Sequence, residues 1–248
     1  MAVARALGVS GIAALVALTA ATAHADDTTQ RPSLLDRSHT VAEAEAGIIA
    51  LPTAPISLQN RGGTTPIGPV GNGDATIEVG AHILYRADRA WAIGAGVSFA
   101  PDPTSDPNFG GAGGLVRTHS RSYLLLGGEF RYFPLRSRWI EFWLGATAGS
   151  VIIADRFTTN DAPTVPALLG VNQITVSTGG LALGGQTGLD YLITDHLKLG
   201  LAVRGDIWLL PDEAHQVSSC DAIGDCPTLH GAVAAFELGV SVGYRIPL

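Results

Sequence analysis

Lysine is nearly missing from this chain: Lys198 is the only one among 248 residues. Lys and Arg together number 15 against 22 Asp and Glu, a formal charge of −7 with no basic stretch, so no nucleic-acid partner is expected. Cysteine is scarce too, with Cys220 and Cys226 separated by Asp-Ala-Ile-Gly-Asp. In an exported chain so close a pair most simply closes a disulfide around a small loop. The pair and a carboxylate or two offer few ligands for a metal. His215 and His230 flank that loop beside Asp212, Glu213, Asp221 and Asp225; a metal site there is the alternative to a solvated acidic loop. No cofactor is expected. Beyond the N-terminus no run of about 20 apolar residues exists, which rules out a membrane-spanning helix in the rest of the chain. Charge is thin at 15% of residues while hydrophobic residues reach 46%, and the mean hydropathy of +0.27 is high for a soluble protein.

The N-terminus supplies a compartment. Arg5 is followed by the apolar stretch 6–23 and then by Ala23-His24-Ala25. A basic start, an apolar segment and an A-x-A site describe a secretory signal cleaved after Ala25; the alternative is an uncleaved membrane anchor. Residues 26–40 are polar and aperiodic and are expected to be a lead-in to a single domain over 41–248.

That domain is written in period two. Residues 236–248 set Phe236, Leu238, Val240, Val242, Tyr244, Ile246 and Leu248 against Glu237, Gly239, Ser241, Gly243, Arg245 and Pro247. The same alternation recurs over 41–51, 76–87, 90–100, 124–134, 139–149, 181–193 and 197–210, giving eight expected strands. Their connections alternate in length. Short turns fall at 86–90, 134–138 and 193–197; long Pro-, Gly-, Asp- and Thr-rich loops fall at roughly 52–74, 101–118, 157–172 and 211–230. A soluble β-sandwich rarely sorts its loops this way, whereas an up-and-down membrane barrel does so as a rule.

The polarity of the two faces decides which side is inside. The less apolar face carries glycine, alanine and single charges of both signs: Glu43, Glu45, Glu78, Arg86, Glu129, Arg131, Glu141, Asp190, Lys198, Arg204, Asp206, Glu237 and Arg245. Small residues with sparse opposite charges suit a cramped lumen in which charges must pair. The large apolar residues then face lipid, and closure of the sheet satisfies every backbone group. Aromatic residues give an independent check. Tyr85 and Trp91 flank the first short turn, Tyr132, Phe133 and Trp139 the second, while Tyr191 precedes the third and Tyr244 lies near the C-terminus. They read as a girdle at one membrane interface, with Phe99, Tyr123, Phe157, Trp208 and Phe236 as candidates for the other.

With its signal segment, eight alternating segments, turn and loop alternation and aromatic-aliphatic last strand, the chain resembles the OmpA-like, eight-stranded outer-membrane barrels of Gram-negative bacteria. The resemblance spans the mature chain and is architectural. It implies an all-β fold, an eight-stranded antiparallel up-and-down transmembrane β-barrel, expected here as a monomer in outer-membrane lipid without a peptidoglycan-binding domain. It also implies insertion by the barrel-assembly machinery. Such chains often end in Phe, whereas this one ends Pro247-Leu248, so Tyr244, Ile246 and Leu248 are expected to supply the recognised face.

An eight-stranded barrel is filled by its own side chains. The expected role is therefore structural or surface-interacting, with any extracellular ligand held at the long loops. Two alternatives remain. One is a narrow, porin-like channel in which Arg131, Lys198, Arg204 and Arg245 exchange carboxylate partners. The other is a lipid-modifying hydrolase using His119 with Ser120 or Ser122, for which adjacency of His119 and Ser120 is unfavourable because neighbours in a strand point to opposite faces. No catalytic activity is expected.

Overall fold

Large apolar residues alternating with small and charged ones make strands with one oily face, and a curved sheet of them can satisfy its edges only by closing. The structure, a computed structural model, describes residues 38–52, 55–60, 63–69, 74–101, 117–159, 173–211 and 227–248. For 55–60, 63–69, 74, 117–119, 157–159, 173–174 and 227 it describes the backbone alone. The strands are β1 (His39–Leu51), β2 (Pro55–Asn60), β3 (Gly63–Pro69), β4 (Asp74–Arg86), β5 (Trp91–Ala100), β6 (Arg117–Arg136), β7 (Ile140–Thr159), β8 (Gln173–Leu192), β9 (Leu197–Leu210), β10 (Pro227–Leu229) and β11 (Gly231–Pro247).

Eight of them form a closed antiparallel barrel in the order β1-β11-β9-β8-β7-β6-β5-β4, with β4 returning to β1. The seam between the first and last barrel strands runs from His39↔Pro247 to Ala50↔Phe236, so no edge is left there. The other three strands correct the expectation of plain loops over 52–74 and 211–230: β10, β2 and β3 pair into a separate three-stranded sheet. Its outer strand β3 contains Pro66 and Pro69, a composition that reads as loop and that sheets tolerate only at an edge. Gly231, the junction from β10 into β11, has φ of 67°, a left-handed conformation that glycine adopts without a Cβ clash.

Three strands are longer than their alternation suggested. β6 starts at Arg117 rather than 124, β7 runs to Thr159 rather than 149, and β8 starts at Gln173 rather than 181. β5 accompanies β6 only as far as Ala100↔Tyr123, and β9 joins β8 only from Leu181↔Leu209. Above those pairs β6, β7 and β8 continue as a three-stranded wall on one side of the long-loop rim. Outward residues change character there, from Leu124, Ile152 and Leu181 to Ser122, Ser120, Arg156, Ser177 and Thr175.

At the opposite rim the three tight turns use one device. Asp88 Oδ1 accepts from Ala90 N at 2.6 Å and Trp91 N at 3.2 Å. Ser137 Oγ accepts from Ile140 N at 2.9 Å, and Thr194 Oγ1 from Leu197 N at 2.9 Å. A short polar side chain at the turn's start thus replaces the missing backbone partner. One β-bulge interrupts the wall between Tyr132 and Leu135 of β6, where Pro134 has no N–H to give to a ladder.

Candidate functional site: the barrel lumen

Glycine on the inward face makes room for a large neighbour on the next strand. Gly188 lies opposite Trp143, and a β-carbon there would sit 2.5 Å from the indole ring. Gly243 lies opposite Lys198, whose Cε would be 2.6 Å away. Gly96 faces His82 and Gly184 faces Asp206 in the same manner. The big polar side chains of one strand are therefore folded flat over the bare backbone of another.

In that space the thirteen charges expected on the inner face fall into three groups. Nearest the short turns, Glu141 accepts from Arg86 at 2.9 and 3.0 Å and from Arg245 at 2.7 Å, and Arg86 also stacks 3.9 Å from the Phe133 ring centroid. Beside it runs a continuous chain. Lys198 bridges Asp190 at 2.7 Å and Glu43; Arg131 bridges Glu43 at 2.9 Å and Glu129 at 3.1 Å. Glu129 also accepts from Gln186 at 3.0 Å and lies 3.0 Å from Nδ1 of His82, whose Nε2 is 3.1 Å from Glu45. Trp143 lies flat against the Arg131 guanidinium, 4.2 Å away, and its Nε1 donates to Asp190 at 3.3 Å. At mid-height Arg204 is the hub of the third group, paired with Glu78 at 3.1 Å, Asp206 at 3.0 Å and Glu237, and donating to Ser98 at 3.3 Å. Two small voids of about 40 and 10 Å³ both border His82, Ser98 and Arg204, room for only a few waters.

Above Arg204 the lumen turns apolar. Ile49, Leu51, Tyr123, Val151, Ile153, Trp208 and Leu229 are all fully buried in one cluster there, with Tyr123 and Trp208 ring centroids 5.2 Å apart. This corrects the assignment of Tyr123 and Trp208 to a second girdle, since both point inward. Phe133, expected in the first girdle, is buried too, turned in against Arg86 where the bulge begins. A fourth polar group, absent from the sequence expectation, closes the top. Arg121 Nε donates to Asp155 at 2.5 Å, Thr228 of β10 donates to Asp155 at 3.0 Å, and Thr228 and Thr178 hydroxyls are 2.8 Å apart. Opposite charges at directly facing positions, Arg121↔Asp155, were the available signal, once β6 and β7 are extended far enough to pair them.

No protein-family model and no curated protein matches this chain. Among solved structures, Neisserial surface protein A is 12% identical with a TM-score of 0.51, over 84% of this chain and 97% of that one. The fold is that of the small outer-membrane barrels. A major outer membrane protein of Thermus thermophilus is also similar, at 14% identity and TM-score 0.49 over 84% of this chain and 99% of that one. OprG of Pseudomonas aeruginosa gives 12% and 0.48, over 87% and 100%.

On the outer surface of this outer-membrane-type barrel the structure places Tyr85, Trp91, Tyr132, Trp139, Tyr191 and Tyr244, all exposed and all toward the short-turn rim. Phe99 and Phe236 are exposed toward the other end, while Phe157 lies outside the residues whose side chains are described. Ser120 and Ser122 are half-buried on the outer face and the side chain of His119 lies outside the description, so no Ser–His pair is formed among the described residues. Cys220, Cys226 and the acidic loop with His215 also lie outside the described residues.

Proposed function

We propose that this protein is an integral barrel of the bacterial outer membrane, exported with cleavage after Ala25, whose closed lumen leaves it a structural or surface-interaction role. The observation that carries this reading is inverted polarity. Ile83, Phe130, Leu144, Leu189, Val203 and Val240 are among the exposed residues, while Glu43, Arg131, Lys198 and Glu141 are buried. Such a surface is stable only against hydrocarbon. Along β6 the outward apolar run from Leu124 to Tyr132, extended past the bulge to Leu135, gives a belt of about 25 Å at the usual strand tilt, the height expected of outer-membrane barrels. The six rim aromatics form the girdle at the short-turn interface. Outer-membrane lipid surrounds the monomer, and the barrel-assembly machinery reads the face of Tyr244, Ile246 and Leu248. The wall of β6–β8 and the small sheet present the surface for any extracellular ligand, and no catalytic step is assigned.

The test is detergent-refolded protein, followed by heat-modifiable gel migration and planar-bilayer recording. A heat-modifiable band and a silent bilayer are expected; a soluble, detergent-free monomer overturns the membrane reading. A narrow channel is the second reading, favoured by the two voids that meet at Arg204. Steady openings that are lost on Arg204→Ala or Glu129→Ala would establish it in place of the closed barrel. Lipid deacylation lost on Ser120→Ala or Ser122→Ala would establish the hydrolase instead.

A further inference from the structure

The short-turn rim is electrically uneven. The β4–β5 turn exposes Asp88 and Arg89, and the β8–β9 turn exposes Asp195 beside the partly buried His196. The β6–β7 turn, Pro134-Leu-Arg-Ser-Arg-Trp139, exposes two guanidinium groups, Arg136 and Arg138, and contains no carboxylate. Its Ser137 hydroxyl is spent on the turn itself. The carboxylate in register with Arg136, and on the same side of the sheet, is Glu141, which is 0% exposed and has both oxygens taken by Arg86 and Arg245. No ion pair among the described residues neutralises Arg136 or Arg138.

The same hairpin carries apolar groups in the right order above those charges. Arg138 lies over the Trp139 ring, 5.0 Å from its centroid, and that indole is 49% exposed at the β8 end, where Trp139 O accepts from Leu192 N next to Tyr191. Leu135 and Ile140, 56% and 49% exposed, continue up the outer wall. Cation, indole and aliphatic side chain succeed one another as phosphate, interface and acyl chain do in a phospholipid.

We propose that the β6–β7 turn is a binding site for the headgroup of an anionic phospholipid in the leaflet that meets the short-turn rim. Arg136 and Arg138 engage the phosphate through their planar N–H forks, and Leu135 and Ile140 lie along the acyl chains. This rests on the reading of the barrel as membrane-spanning. A negatively charged lipid is favoured over a zwitterionic one because two guanidinium groups stand without a carboxylate between them. Each adds about fivefold in affinity at an anionic membrane surface.

The test uses the full chain with Trp91→Phe, since Trp143 and Trp208 are buried in the lumen and Trp139 is then the remaining outward indole. It is reconstituted in phosphatidylcholine bilayers containing a minor fraction of either brominated phosphatidylglycerol or brominated phosphatidylcholine. Preferential association of the brominated glycerol lipid with Trp139, about fivefold or more over the choline lipid, is expected, falling to about one in R136Q/R138Q. Equal quenching by the two lipids, or a preference that survives R136Q/R138Q, overturns the site. A heat-modifiable band in phosphatidylcholine alone separates the two levels. A chain that folds there without discriminating lipids loses only this site. One that enters neither bilayer loses the membrane reading and the site with it.

Discussion

In the short-turn half of the lumen Glu43, Glu129, Arg131, Glu141, Asp190, Lys198 and Arg245 occupy the inward positions; in the long-loop half Ile49, Tyr123, Val151, Ile153 and Trp208 do. Both fillings exclude solvent, by different physics. Ion pairs in a dry lumen must recover a desolvation cost of several kcal/mol per ion, and do so only where geometry is good and every donor is used. They are therefore selective for one register of the strands: a slip of one residue would carry Glu141 and Arg131 into lipid. The apolar cluster needs no such geometry and gains by close contact alone. The lower half specifies the barrel, and the upper half seals it.

Four variants would break or sharpen that contrast, measured as urea midpoints of protein refolded in lipid vesicles. Glu141→Ala leaves the Arg86 and Arg245 guanidinium groups facing each other without their carboxylate, and is expected to lose about 4 kcal/mol. Trp208→Ala opens a cavity in the upper cluster and is expected to lose about 3.5 kcal/mol while leaving the lower ion pairs intact. A loss under about 1 kcal/mol would show that the cluster does not hold the upper barrel together. Val240→Arg puts a charge at mid-height on the outer face of β11 and is expected to lose about 3 kcal/mol, whereas an aqueous outer face would accept it at almost no cost. Thr228→Val removes the bond from β10 to Asp155 and is expected to lose about 1 kcal/mol.

The contrast also explains what could be read in the sequence. Alternation is plain where the inward residue is Glu, Arg or Gly and the outward one Val or Leu, as in residues 236–246, and there the inward charges were legible one by one. It fails where both faces are apolar. Stretches such as Tyr123-Leu-Leu-Leu126, Val151-Ile-Ile153 and Ile207-Trp-Leu-Leu210 carry no period, because lumen and lipid there ask for the same side chains. An aromatic ring in such a run fits an interface as well as a core, so in the sequence Trp208 and Tyr123 read as girdle residues. The upper wall was hidden for another reason. Residues 173–180, Gln-Ile-Thr-Val-Ser-Thr-Gly-Gly, stand mostly clear of the apolar belt, so their outward side chains are small and polar, as those of a loop would be.

The facing of four luminal glycines by one bulky partner each, Gly188 with Trp143, Gly243 with Lys198, Gly96 with His82 and Gly184 with Asp206, bears on how this chain can vary over generations. Outside, an isoleucine can become a valine or a leucine without consulting any neighbour, because lipid adjusts. Inside, a methyl group gained on one strand must be surrendered on the next. Successive substitutions would then travel as couples across a strand boundary, and drift would be quick on the hull and slow in the hold.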